Sequence, residues 1–165
     1  MRNSTLITIK PYSEDDLAEL RALHALSFKT LASGSHSAEQ VFAHIRFMNS
    51  DGYAADIAQS NMLCARDGVG RLMATSGWLA MNRAPTTARI RKVFVHPDMA
   101  GTGLGRRMVG VTEIAARDQG TEDFFVRANI NAKGFYKRLG YTEIKPSVME
   151  VSGGINLPVM YMFKG

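Results

Sequence analysis

Residues 93–108 read VFVHPDMAGTGLGRRM. A strand that ends at Val95 runs into a glycine-rich turn, and a helical pattern follows the turn. Gly101, Gly103 and Gly105 allow the backbone to curl so that successive N–H groups face one point, where the helix adds the positive end of its dipole. This stretch therefore predicts a site for a phosphate group.

Two other interpretations of these glycines stay open. Three glycines before a helix can simply relieve crowding in a tight turn. A dinucleotide site of the Rossmann type requires GxGxxG, but Arg106 stands at the third position and the run lies past the middle of the chain. The spacing argues against the dinucleotide site and leaves the crowded turn as the alternative.

Hydrophobic periodicity predicts strands and helices on both sides of this stretch. The predicted strands are Thr5–Lys10, Asn61–Arg66, Leu72–Leu79, Ala88–Val95, Phe124–Ala128, Tyr141–Ile144 and Leu157–Phe163. Two predicted helices start at the N-caps Ser13 and Ser37. Two more cover Gly103–Gln119 and Ala132–Leu139, and a further short turn is predicted at Gly52–Ala58. This order predicts a mixed α/β sheet with helices on both faces.

The composition is that of one ordinary domain over residues 1–165. The chain is 45% hydrophobic, which is enough for a core, and its single cysteine, Cys64, excludes an intramolecular disulfide and suits a reducing compartment. The sequence has no apolar run of signal-peptide or membrane-span length. We therefore expect a cytoplasmic protein without a membrane partner.

The net charge of +5 comes from 20 basic and 15 acidic residues that are spread along the chain. The densest basic stretch, Arg89–Lys92, alternates like a strand and lacks the interleaved aromatic residues of a nucleic-acid site. We expect no nucleic-acid partner.

A second informative stretch, residues 126–141, reads VRANINAKGFYKRLGY. Asn129 and Asn131 lie at a strand end and can cap the helix that follows. Phe135 is a predicted core residue, whereas its neighbour Tyr136 carries a hydroxyl that needs a partner. The alternative is that Tyr136 is an ordinary interface tyrosine.

The two stretches, in this order and separation, resemble the GNAT superfamily of N-acetyltransferases. The resemblance covers Asn61 to Tyr141. It implies an α+β fold with a central sheet of about seven strands that splays in the middle. It also implies direct transfer of an acetyl group from acetyl-CoA to a primary amine in a ternary complex, without a metal or a cysteine nucleophile.

The resemblance also implies roles for individual residues. Tyr136 aligns with the tyrosine that protonates the departing thiolate, which is its expected catalytic role. The residues that the resemblance assigns to CoA binding are Val93, Phe94, Val95, Gly101, Thr102, Gly103, Leu104, Gly105, Arg106, Asn129, Asn131 and Tyr136. Ala100 departs from the family pattern, which has Gln or Arg there, but the substitution removes no backbone donor.

Three matters stay open at this point. The fourth predicted strand carries no acid, so a water relay is expected to deprotonate the acceptor, with Glu39, His36 and His44 as further candidates. A catalytically silent acyl-CoA sensor is the alternative to an enzyme. The acceptor is a small amine, an amino acid, an aminoglycoside or a protein terminus, and the apolar run Leu157–Phe163, taken as an edge strand, predicts a homodimer.

Overall fold

The computed structural model of the protein describes residues 6–32 and 34–165. Its strands are β1 Thr8–Pro11, β2 Asn61–Arg66, β3 Leu72–Met81, β4 Ala84–Val95, β5 Asp123–Asn129, β6 Thr142–Glu150 and β7 Asn156–Lys164. They form a seven-stranded sheet in the order β1-β2-β3-β4-β5-β7-β6. The β4–β5 pair is parallel, whereas the other neighbouring pairs are antiparallel. The predicted mixed sheet is confirmed.

The helices are α1 Leu17–Ala32, α2 Ala38–Met48, α3 Asp51–Gln59, α4 Leu104–Asp118 and α5 Lys133–Arg138. Ser37 caps α2 as predicted, since its side chain accepts from Gln40 N while its own N–H donates to Gln40 Oε1. Residues 52–58, predicted as a turn, belong to α3. The sequence signal for this helix is the N-cap Ser50, whose side chain accepts from Tyr53 N.

Adjacent residues of β3 show that helices cover both faces of the sheet. Thr75 Oγ1 lies 2.7 Å from His24 Nε2 of α1, whereas Ser76 Oγ accepts a hydrogen bond of 2.8 Å from Thr112 of α4. Consecutive side chains of a strand point to opposite faces, so α1 and α4 lie on opposite sides. The predicted two-sided arrangement is confirmed.

The sheet opens between its two parallel strands. Pairing of β4 with β5 runs from Thr87↔Asp123 to Ile90↔Val126 and then stops. β4 continues to Val95 and stays paired with β3, where the register shifts between Thr75 and Gly77. The bulge is in β4, where Lys92 and Val93 face the single residue Ser76, and Lys92 adopts a φ of 57°, a left-handed conformation that is rare for a residue with a side chain. The splay expected in the middle of the sheet is therefore present.

The position of β7 differs from the prediction. β7 lies between β5 and β6, because the chain turns after β6 and inserts its last strand into the sheet. Leu157–Phe163 is therefore not an edge strand, and the argument that it needs cover from a second copy was wrong. The strand at this edge of the sheet is β6, which also tolerates Pro146 because its outer side requires no backbone donor. A homodimer stays a prediction that β7 does not support.

Candidate active site

A cavity of about 560 Å³ lies where β4, the start of α4, α5 and α1 meet. Most of the residues predicted for ligand binding line this cavity: Val93, Phe94, Val95, Gly101, Gly103, Leu104, Gly105, Arg106, Asn131 and Tyr136. Thr102 and Asn129 do not line it. The Thr102 hydroxyl donates to Met99 O at 2.6 Å, and Asn129 lines a second, smaller cavity.

The turn before α4 presents backbone donors to the large cavity. Gly101 and Gly103 have φ angles of +74° and +84°, in the left-handed region where a side chain is strained. The first helical hydrogen bond runs from Arg107 N to Gly103 O at 3.0 Å, so the N–H groups of residues 104–106 have no partner within the helix. These donors and the helix dipole favour an anion at this point.

Gly105 has a different role from the other two glycines. It lies inside α4, and a Cβ at this position would be 3.3 Å from the Phe135 ring and 3.4 Å from Val95 Cγ2. Its missing side chain therefore lets α4 pack closely against α5 and β4. The prediction that all three glycines curl the turn holds only for Gly101 and Gly103.

Further polar groups of the large cavity fit an elongated anionic ligand. Ser27 lines the cavity, and its buried hydroxyl has no hydrogen-bond partner among residues 6–32 and 34–165. Arg106 and Arg138 line the same cavity. The neighbouring Asn131 side chain donates to Leu31 O at 2.9 Å, so it ties α1 to the chain before α5 and does not cap α5, whose N-cap is Ala132.

The second cavity, of about 110 Å³, occupies the gap between β4 and β5. Its walls come from both strands and from α2 and α3, including His44 and Tyr53. The two cavities share Val93, Phe94, Ala132 and Tyr136. A ligand in the large cavity and a ligand in the small cavity therefore meet at Tyr136.

Tyr136 is 6% exposed and packs edge-on against Phe135 and Tyr141, at centroid distances of 5.0 and 5.5 Å. No residue in the described part of the chain forms a hydrogen bond with its hydroxyl. Burial raises the pKa of this phenol above its ordinary value, so the group stays protonated at neutral pH. Its geometry and protonation suit a proton donor.

A chain of buried hydrogen bonds supports the bulge in β4. Thr75 donates to Lys92 O at 2.9 Å, so its hydroxyl oxygen accepts from His24 Nε2, and His24 Nδ1 accepts from the Tyr53 hydroxyl. This order requires a neutral His24, and burial together with the nearby Lys92 lowers the pKa of that imidazole well below its usual value. This relay of hydrogen bonds, from Tyr53 through His24 and Thr75 to Lys92 O, links α3 and α1 to the backbone of β4 beside the gap.

Within the described residues no carboxylate lines the small cavity, which is lined by four basic side chains: Arg89, Arg91, Lys92 and Arg127. The nearby Asp56 Oδ2 lies 3.4 Å from Arg91 Nη2 and 3.7 Å from Lys92 Nζ. Burial and the charge of Arg91 lower the pKa of Lys92 to about 7, while burial and the charges of Arg127 and Arg91 lower that of Arg89 to about 10. The cavity therefore holds excess positive charge.

The sequence did not indicate this cationic cavity. Its alternation identified 89–92 correctly as strand, but nothing in the pattern showed that the strand opens onto a gap beside Arg127. Of the candidate bases, only His44 lines the cavity, and burial lowers its pKa to about 4. Cys64 lies in neither cavity, and burial raises the pKa of its thiol to about 12, as expected for an inert cysteine.

Comparison with known proteins assigns the chain to a family. Residues 31–162 match the family model for the acetyltransferase (GNAT) domain. An uncharacterized N-acetyltransferase of Methanocaldococcus jannaschii is 24% identical over 145 residues, which cover 82% of this chain and 61% of that relative. The chain therefore spans less than two thirds of the length of this curated relative.

Solved structures share the fold at low sequence identity. A GCN5-related N-acetyltransferase from Rhodopseudomonas palustris superimposes with a TM-score of 0.86 at 24% identity, over 100% of this chain and 98% of the other. The PaiA N-acetyltransferase from Thermoplasma acidophilum, solved in complex with coenzyme A, gives 0.76 at 18% identity over 96% and 98%. Among the described residues, no helix combines the length and the apolar character that a membrane span requires.

Proposed function

Since this chain belongs to the GNAT family of acetyltransferases, we propose that it transfers an acetyl group from acetyl-CoA to a primary amine. The observation that carries the proposal is the meeting of two cavities at Tyr136, one with an anion-binding turn and one open to the gap in the sheet. Two ligands can occupy such cavities together, so the transfer is direct, in a ternary complex. The inert Cys64 supports this route over an acyl-cysteine.

Acetyl-CoA suits the polar and charged groups that line the large cavity. The N–H groups of residues 104–106, with Arg106 and Arg138, would hold the phosphates. Beyond Ile90 the ladder between β4 and β5 ends, so the backbone of Val93–Val95 can pair with the pantetheine amides. Ser27 would supply a further hydrogen bond to this arm. Acetyl-CoA brings the acetyl group as an activated thioester.

The reaction requires two proton movements. The amine nitrogen loses a proton and forms a bond to the acetyl carbon, while the carbon–sulfur bond breaks and the sulfur gains a proton. We assign the second proton to the hydroxyl of Tyr136, because this residue lines both cavities and its phenol is protonated at neutral pH. The acceptor amine would occupy the small cavity. The first proton goes to water, because the described residues that line this cavity include no carboxylate.

The proposal is tested by incubating the protein with acetyl-CoA and a panel of amines while thiol release is followed. An enzyme is expected to release CoA only when an acceptor is present and to form the N-acetyl product, which mass spectrometry identifies. Binding of acetyl-CoA without turnover of any amine would favour the catalytically silent sensor. The lone, buried Cys64 thiol is compatible with the cytoplasmic location that we propose for this activity.

Gly103→Ala is expected to weaken acetyl-CoA binding about 10-fold. A Cβ at this position meets no other atom, but the left-handed backbone costs roughly 1–2 kcal/mol for any residue with a side chain. The free protein can relax that turn, and binding has to restore it, so the strain appears as lost affinity in calorimetry.

Gly110→Ala is the matched control, since it adds the same methyl group within α4, the helix that Gly103 precedes, at a position with open space and no positive φ. Its acetyl-CoA affinity should equal that of the unmodified protein. Equal affinity for the Gly103→Ala variant, at unchanged stability, would place the phosphates away from this turn.

A further inference from the structure

We propose that the acceptor is a small primary amine that also carries a carboxylate, and that Arg89, Arg91 and Arg127 bind this carboxylate in the gap between β4 and β5. This inference rests on the N-acetyltransferase function proposed above and names the substrate class of the same site.

The three arginines share one face of the sheet. Ile90 and Val126 pair across the two strands and point into the core, so Arg89, Arg91 and Arg127, which alternate with them, point to the opposite face. The pairing of β4 and β5 stops immediately after Ile90. The guanidinium groups are therefore placed where the gap opens and where the cavity begins.

The charge of this group of arginines is not balanced within the described part of the protein. Asp56 is the one carboxylate there within 4 Å of any of the three, and it lies 3.4 Å from Arg91. The Nε atoms of both Arg89 and Arg91 are buried without a hydrogen-bond partner. Burial and mutual repulsion lower the pKa values of both arginines. A bound anion would supply the missing hydrogen bonds and offset the repulsion.

The phosphates of CoA are not this anion. They belong to the turn at Gly101–Arg106, which lines the other cavity together with Arg138. No residue of that turn lines the cavity that holds the three arginines. The two groups of cations therefore serve two different ligands.

The size and shape of the site favour a carboxylate. The cavity of about 110 Å³ is small, and the planar guanidinium fork matches the two oxygens of a carboxylate. The same charges disfavour an ammonium group nearby and so help the acceptor nitrogen to lose its proton. The three arginines would repel a polyamine without an anionic group.

The test compares matched pairs of acceptors. Each pair consists of an amino acid and the amine in which hydrogen replaces the carboxylate, and the panel includes α-, β- and γ-amino acids. We expect kcat/KM to be about 10- to 100-fold higher for the acid of the preferred pair, the scale of one or two charge-assisted hydrogen bonds. Equal or better acetylation of the amines without a carboxylate would overturn the inference and leave the transferase function intact.

Arg89→Gln should reduce this ratio towards one, because glutamine keeps part of the stem and removes the charge. Arg83→Gln is the matched control: it removes the same charge from the exposed turn between β3 and β4, outside both cavities, and the ratio should not change. A ratio that survives in the Arg89→Gln and Arg127→Gln variants would place the carboxylate elsewhere and overturn the assignment.

A binding measurement separates this inference from the proposed function. Calorimetry on the CoA-loaded protein compares N-acetyl amino acids with the N-acetyl amines that lack the carboxylate. If no acceptor is turned over but the acids bind and Arg89→Gln weakens them, the anion site stands and the transferase function fails. If neither compound binds and neither acceptor reacts, both proposals are overturned.

Discussion

Tyr136→Phe is expected to lower kcat by about 10²-fold or more, the usual scale for the loss of a general acid. The ring fills the same space, so the packing against Phe135 and Tyr141 remains, and the one group removed is the hydroxyl of a residue that lines both cavities. Because burial raises the pKa of this phenol, its ionisation should not lower the rate below pH 10 in the unmodified enzyme. Steady-state kinetics with a confirmed acceptor measures the effect.

Tyr141→Phe provides the control for this experiment. It makes the same chemical change in a neighbouring ring, 5.5 Å away between centroids, that lines neither cavity. The Tyr141 hydroxyl donates to Glu113 Oε1 at 2.9 Å, so its loss should cost about 1–2 kcal/mol of stability with kcat little changed. Nearly full turnover in Tyr136→Phe would make Tyr136 a packing residue, and water would then protonate the thiolate.

Much of the fold could be predicted because local signals agree with it. Ser13 caps a 3₁₀ turn, Glu14–Asp16, that leads into α1, and Ser37 caps α2. These caps, the turn between β2 and β3 and the glycine turn at 101–103 all act over a few residues, and the structure contains each of them. The order of the sheet was harder. The apolar pattern of β7 is the same at an edge and in the interior, so only long-range pairing shows that it lies between β5 and β6.

The parts of the site that short motifs encode could be predicted from the sequence. The parts that depend on the gap between β4 and β5 could not. Tyr136 and the turn before α4 were found from two short motifs. The left-handed Lys92 and the relay through His24 depend on hydrogen bonds between residues that lie 17 to 51 positions apart in the chain, which no periodicity records. The arginines looked like an ordinary alternating strand, because a sequence does not show where two parallel strands stop pairing.

The buried histidines lead to a second large effect, on stability at mild acidity. Burial first, and then the charge of Lys92, lowers the pKa of His44 from 6.5 to about 4. Unfolding restores the ordinary pKa, so the unfolded chain binds a proton between pH 6.5 and 4 that the folded protein does not. The contribution of His44 to stability is therefore complete above pH 6.5 and is lost as the pH decreases. His44 alone should remove about 2 kcal/mol by pH 5.

His24 acts in the same direction, because a protonated imidazole cannot accept the hydrogen bond from Tyr53 and the relay to Lys92 breaks. The window from pH 6.5 to 5 isolates these histidines from the carboxylates. In Asp16 and Glu19, hydrogen bonds from the backbone and from Arg66 outweigh burial, so their lowered pKa values affect stability only nearer pH 4.

The measurement is urea unfolding at half-unit steps from pH 7.5 to 5 for the unmodified protein and for His44→Leu. Leucine removes the titration and also an imidazole Nδ1 that is buried without a partner in the described chain, so the variant should keep its stability at pH 7. Its free energy of unfolding should then fall by about 2 kcal/mol less over this range than that of the unmodified protein. The remaining slope comes from His24, His36 and Lys92, whose pKa values are also lowered in the folded protein. Parallel curves for the two proteins would mean that the folded state accommodates the charged His44, through water or through movement of α2 away from Lys92.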